Sequence, residues 1–174
     1  MNVRRLFDLG LIILAVAAIV LGARVDVPMT PVPMTLQSLA VLLAGGLLGP
    51  WRGMAAVVAY LALAALGAPV LAEGASGVGR LIGPTGGYLA AFVPAALLAG
   101  AAAQRGWLKR WGPATGVFLA GHGLILGLGC GWLALGIGWG AAWAGGVQPF
   151  LIGAGVKSAL GALIVRIAAG RPVP

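Results

Sequence analysis

Lys157 is the side chain in this sequence that most needs a chemical explanation. It lies about a third to halfway along an apolar run over residues 149–169 and is the only basic residue well inside any such run. An ammonium group at that depth in a membrane costs about 2.5–3.5 kcal/mol on insertion scales. Such a residue either faces the interior of a helix bundle and meets a partner, or snorkels its amine to the surface. The run is sided to match the first reading. Ala154, Lys157 and Gly161 share one helical face, and Ile152, Val156, Leu160 and Leu163 share the other. No carboxylate is expected inside a membrane span, and Asp26 and Glu73 sit in connections. The simplest partner for Lys157 is therefore an anionic ligand, most economically a carboxylate.

The other reactive residue types are sparse. His122, between Gly121 and Gly123 in mid-run, is open to two readings, ligand contact or proton shuttle on one side and a packed, hydrogen-bonding residue on the other; the second is preferred. Cys130 is read as a packing residue, and a lone cysteine excludes an internal disulfide and a cysteine metal cluster. There is no metal-ligand spacing, no intramembrane carboxylate pair and no nucleophile–base pair, so no metal site, cofactor or enzyme chemistry is expected.

Two polar stretches could build a binding site. Pro31-Val32-Pro33-Met34-Thr35-Leu36-Gln37 follows Pro28 and carries prolines that forbid a continuous helix. It delivers the Thr35 hydroxyl and the Gln37 amide into the start of the next apolar run. The second stretch is glycine-rich: Glu73-Gly74-Ala75-Ser76-Gly77-Val78-Gly79-Arg80, then Leu81-Ile82-Gly83-Pro84-Thr85-Gly86-Gly87-Tyr88. Glycines let backbone N–H groups face a ligand, or simply make tight turns. Thr85 is expected to N-cap the following helix, with Gly86 in its first turn. Such a helix start favours a carboxylate or carbonyl oxygen. No Gly-Lys-Ser/Thr follows, so this is not an ATP-binding P-loop.

These residues need a membrane scaffold. The chain is 61% hydrophobic and only 8% charged over 174 residues, with a mean hydropathy of +1.07, whereas soluble domains carry about 25% charge. The expected fold is all-α: a polytopic membrane protein folded as one compact bundle of six transmembrane helices, with residues 1–174 forming a single substrate-binding domain. The apolar runs cover residues 9–23 (extended by Leu6 and Phe7), 34–49, 53–72, 88–104, 113–135 and 149–169. Pro50-Trp51-Arg52 is expected to end the second run, the segment over 136–146 to form a turn, and Pro149 to open the sixth helix. The thirty-one glycines suit close helix approach in lipid. Ala15, Ala18 and Gly22 share a face that is read either as packing inside the bundle or as a docking face for another membrane subunit.

The net charge of +8 does not indicate nucleic-acid binding, because the basic residues stand singly or in a small cluster at the ends of apolar runs. With six spans, Arg4, Arg5, Arg52, Arg105, Lys109, Arg110, Arg166 and Arg171 fall on one side, and Arg24 and Arg80 on the other with Asp26 and Glu73. The positive-inside rule makes the first side cytoplasmic, both termini with it, and places both polar stretches on the outer face. No cleavable signal peptide is apparent.

The proline turn through Gln37, then Leu42-Leu43-Ala44-Gly45, Leu48-Gly49-Pro50, Leu66-Gly67-Ala68-Pro69-Val70, Gly83-Pro84-Thr85-Gly86-Gly87-Tyr88-Leu89 and Pro149-Phe150-Leu151 with Gly153 and Lys157, resembles the BioY family over nearly the whole chain. Members are biotin-specific substrate-binding (S) subunits of energy-coupling factor (ECF) transporters. The resemblance implies a biotin-binding subunit of the bacterial inner (plasma) membrane that captures its ligand at the outer face for import. It hydrolyses nothing itself; ATP is used only by partners, a transmembrane coupling subunit with cytosolic ATPases. By the same resemblance Lys157 meets the valerate carboxylate, Thr35 and Gln37 shape a wall, and Tyr88 stands beside the site. Gly74, Ser76, Gly77, Gly83, Pro84, Thr85, Gly86 and Gly87 belong to a loop closing over the bicyclic ring. Ala15, Ala18 and Gly22 resemble the docking motif for the coupling subunit. Two positions depart from the family pattern. Ala154 stands where an aspartate is common, and Ala75-Ser76 where some members carry asparagine. The alternatives are an S subunit for another vitamin or small carboxylate, and a self-sufficient permease or structural membrane subunit.

Overall fold

Apolar residues in runs of this length can satisfy their backbone hydrogen bonds inside a membrane only as helices, and the computed structural model shows them so. It describes residues 3–27 and 30–169; Pro28, Gly170, Arg171 and Pro172 lie outside that description. Six apolar helices form the bundle: α1 (Val3–Arg24), α2 (Gln37–Leu48), α3 (Pro50–Ala65), α5 (Gly86–Gln104), α6 (Trp111–Ile137) and α8 (Leu151–Ala169). Two short helices, α4 (Val78–Ile82) and α7 (Trp139–Gly146), lie in connections. Four segments are long and apolar enough to cross a membrane: Val3–Arg24, Gly86–Gln104, Trp111–Ile137 and Trp139–Ala168. The remaining two bundle helices, α2 with 12 residues and α3 with 16, are about 18 and 24 Å long at 1.5 Å per residue.

Three local expectations change. Pro50 does not end a run. Gly49 breaks the chain at φ 83° and Pro50 begins α3, because proline's missing N–H is harmless in a first turn. The segment over 136–146 is not a plain turn. Gly138, at φ 80°, separates α6 from an eight-residue helix that ends at Gly146. Asp8 lies within α1, where a span free of carboxylates was expected, and forms a 2.8 Å ion pair with Arg52 at the start of α3.

That pair and the Arg166 guanidinium over the Trp111 ring, 5.6 Å from its centroid, mark one end of the bundle. The other end holds the connections. Asp26–Val27 (β1) and Met34–Thr35 (β2) pair antiparallel as a minimal hairpin, with Asp26 opposite Thr35 and Val27 opposite Met34. The guanidinium of Arg24 donates to the carbonyl oxygen of Pro69, and the N–H of Gly77 donates to that of Ala64 at 2.7 Å, so the glycine-rich connection is tied down beside the hairpin.

The core between these ends depends on absent side chains. A Cβ on Gly45 would stand 2.1 Å from the carbonyl oxygen of Ala96, and one on Gly100 2.3 Å from the nitrogen of Pro50. Thus α5 presses backbone to backbone against α2 and against the α2–α3 joint, the close approach that small residues permit in membranes. Around these contacts Leu42, Val57, Tyr60 and Phe118 are fully buried.

Candidate functional site

At the hairpin end the helices enclose a cavity of about 80 Å³ of water-accessible space. Its walls come from the hairpin and the starts of α2, α5 and α8, together with the middle of α6. Most of the wall is apolar, with Phe92 on α5, Ile125 and Leu126 on α6, and Phe150 just before α8. A few polar groups converge on it, which is the usual form of a small-molecule site.

Lys157 is one of them. It is buried, at 8% exposure. Its ammonium donates to the carbonyl oxygen of Thr35 at 3.1 Å and to the Ser38 hydroxyl at 2.9 Å. The amine is thus held by the hairpin and the first turn of α2 rather than snorkelling away. An ammonium has three donors, so one remains. None of the three acids, all among the described residues, pairs with it: Asp8 is taken by Arg52, Glu73 by Arg80, and Asp26, in the hairpin, forms no ion pair with Lys157.

Gln37 is a second. The Tyr60 hydroxyl donates its single proton to the carbonyl oxygen of Val70 at 3.0 Å. It must therefore accept from Gln37, whose Nε2 lies 2.7 Å away. That fixes the amide orientation and leaves Gln37 Oε1 as an acceptor on a residue that lines the cavity. Thr35 supports the same turn, its hydroxyl accepting from the Gln37 N–H at 3.3 Å.

Of the loop and helix-start residues expected at a site, Thr85 and Tyr88 line the cavity. Thr85 occupies the N-cap position of α5 without a side-chain cap bond; its hydroxyl donates back to the carbonyl oxygen of Arg80 at 3.3 Å. Tyr88 ties α5 to the end of α7 by donating to the carbonyl oxygen of Gly146 at 2.9 Å. Gly74, Ser76, Gly77, Gly83, Pro84, Gly86 and Gly87 are not among the lining residues. Their roles here are conformational. Gly74 and Gly77 take positive φ, the Gly83 carbonyl accepts from the Trp132 indole at 2.9 Å, and a Cβ on Gly87 would meet the Trp132 Cβ at 2.2 Å. Ser76 and Pro84 are exposed.

Ser38, Arg80 and His122 also line the cavity. The sequence signal for Ser38 was its place one residue after Gln37 in a polar helix start. Arg80 read only as a topology charge. His122 offered no signal beyond its isolation. Ala154 lines the cavity as well, one turn before Lys157. The Ala15–Ala18–Gly22 set is split. Ala15 and Gly22 are buried, Gly22 against the start of α2, while Ala18 is exposed. Ala15 and Ala18 nonetheless line one apolar groove on the outside of α1 and α2, with Leu11, Leu14, Leu43 and Leu47, and Gly22 stands apart from it.

The BioY family model matches residues 1–172. The chain belongs to the BioY family. A protein of Pyrococcus horikoshii named a probable biotin transporter BioY is 38% identical over 157 residues, covering 90% of this chain and 93% of that protein. The biotin transporter BioY of Thermotoga maritima is 43% identical over 113 residues, 65% of this chain and 66% of that one. Among solved structures, the S-component for biotin from an ECF-type ABC transporter superposes with a TM-score of 0.89 at 30% identity, covering 99% of this chain and 95% of that one. This BioY chain is therefore a predominantly helical, multi-pass membrane protein of a transporter family.

Proposed function

We propose that this chain is the biotin-capturing S subunit of an ECF-type uptake system. The observation that carries the reading is the buried Lys157 ammonium. It faces a mostly apolar cavity with one donor unused and no acid beside it, in a family whose named relatives are biotin transporters. Biotin suits such a cavity. Its bicyclic ring and aliphatic chain match apolar walls, its carboxylate would take the free donor of Lys157, and its ureido N–H groups need acceptors such as Gln37 Oε1. Thr35, Ser38 and Tyr88 shape the polar wall. Gly74, Ser76, Gly77, Gly83, Pro84, Gly86 and Gly87 set the course of the loop above it.

By the positive-inside rule the hairpin end faces outward and both termini face the cytoplasm of a bacterial inner membrane. The coupling subunit would dock along the α1–α2 groove at Ala18, and ATP would act only through its ATPases. Ala15 lines that groove beside Ala18, and Gly22 supports the face from within, against the start of α2.

Arg80 favours a second placement of the same ligand. It lines the cavity from the short helix α4, half-buried, so the carboxylate could sit at the mouth on Arg80, with Lys157 donating to the ureido carbonyl. Titrating the purified protein with biotin and with biotin methyl ester, in wild type, Lys157→Met and Arg80→Gln, decides between them. The ester penalty disappears in the variant that has lost the carboxylate's partner. Absence of saturable biotin binding would overturn the proposal and favour another vitamin or small carboxylate. Biotin uptake by cells expressing this chain without coupling ATPases would favour a self-sufficient permease.

A further inference from the structure

His122 is the only histidine in the chain. It is 3% exposed in the middle of α6. Its Nδ1 lies 3.0 Å from the carbonyl oxygen of Phe118 and 3.0 Å from the Ser158 hydroxyl. The proton inventory settles the roles. The Ser158 hydroxyl donates its single proton to the carbonyl oxygen of Ala154 at 2.7 Å, so toward the ring it can only accept. The Phe118 carbonyl can also only accept. Nδ1 therefore carries the imidazole proton, and in the neutral ring Nε2 is a bare acceptor.

That Nε2 is buried and has no hydrogen-bond partner among the described residues, while His122 lines the cavity. A buried polar atom left unpaired costs about 1–3 kcal/mol, and such atoms in native proteins call for an explanation. The surrounding wall does not supply a partner: the Lys157 ammonium, which lines the same cavity, donates to Thr35 and Ser38 and not to this nitrogen. Ile125, Leu126 and Phe92 are apolar, and Ala154 reaches the cavity with only a methyl group.

We infer that His122 Nε2 is a specificity-determining acceptor that takes a hydrogen bond from an N–H group of the bound ligand. The inference rests on the proposed function, under which that group is one of the two ureido N–H groups of biotin. Nδ1, held by α6 and α8, fixes the ring orientation, and Nε2 reads the ligand. A ligand presenting a methyl group or a lone pair at that point leaves both partners unpaired and is rejected.

The single histidine makes the test specific. Protein carrying 15N-histidine, with any purification tag removed, is examined by NMR without and with saturating biotin. The expected result is one protonated and one bare ring nitrogen, with the bare resonance moving upfield on binding. In parallel, biotin and its two mono-N-methyl ureido analogues are titrated into wild type, His122→Asn and His122→Gln. Asn keeps a donor where Nδ1 stands and deletes the acceptor; Gln restores an oxygen near Nε2. Wild type should reject one N-methyl analogue by about tenfold or more. His122→Asn should bind biotin about tenfold more weakly and lose that discrimination, and His122→Gln should recover part of both. A bare-nitrogen resonance that does not move with biotin overturns the inference, as does unchanged affinity and selectivity in a folded His122→Asn. If His122→Asn does not fold, the wild-type spectrum alone decides. If wild type binds biotin but the resonance is unmoved, only this inference fails. If wild type does not bind biotin, the proposed function fails and this inference with it.

Discussion

Replacing Lys157 with methionine removes the ammonium and keeps a flexible apolar chain of similar reach. In the unliganded protein two effects oppose. Two charged-donor hydrogen bonds, to Thr35 and Ser38, are lost at about 1.5–3 kcal/mol each. The cost of holding an ammonium in the bundle, about 2.5–3.5 kcal/mol, disappears at the same time. The net change in stability is then small, about 2 kcal/mol or less if each bond lies near the lower half of its range. Ligand binding has no such offset. The remaining donor's charge-assisted contact is worth about 2–3 kcal/mol, which is a loss of about 30- to 150-fold in affinity. Calorimetric titration with biotin, beside thermal melting in the same detergent, measures both. A folded Lys157→Met protein whose affinity stays within about threefold of wild type would refute the reasoning, because a spare donor facing the ligand cannot be lost at no cost.

Other outcomes follow from the packing and the hydrogen bonds. Gly45→Ala should lower the melting temperature by an amount equivalent to about 1–3 kcal/mol, since its Cβ would meet the Ala96 carbonyl oxygen at 2.1 Å. Gly127→Ala, where nothing lies within 4 Å of the added Cβ, should leave melting unchanged or raise it. Tyr60→Phe removes the group that orients the Gln37 amide; it should cost about 1–2 kcal/mol of stability and weaken biotin binding several-fold in the same titration.

The bundle was readable because membrane solvation leaves the backbone few choices, so uncharged runs of this length mark helices. The α2–α3 joint was misread because Pro50 reads as a terminator when only Gly49, through its positive φ, makes the break. The helix over Trp139–Gly146 was missed because its glycines, at 140, 145 and 146, read as turn residues, and tertiary packing decides its state. At the site, the depth of Lys157 was visible in the sequence, but its partners were not. Thr35 and Ser38 lie 122 and 119 residues away, and no local pattern joins them. The glycine loop shows the opposite case. A composition suited to embracing a ligand here also serves positive φ and close contact with Trp132, and those uses look identical in a sequence. The orphaned nitrogen of His122 is a property of the hydrogen-bond network around it, and only the placement of Ser158 exposes it.

The central claim, that biotin occupies the cavity at the hairpin end, is tested most directly by equilibrium dialysis of labelled biotin against the purified chain without ATPases. Three proteins suffice: wild type, Ala154→Trp and Ile152→Trp. Ala154 lines the cavity, so an indole there fills it, whereas Ile152 is 84% exposed on the opposite face of α8. The account predicts saturable binding of one biotin per chain in wild type and Ile152→Trp, and none in Ala154→Trp. Equal binding by all three proteins, or none by wild type, would contradict it.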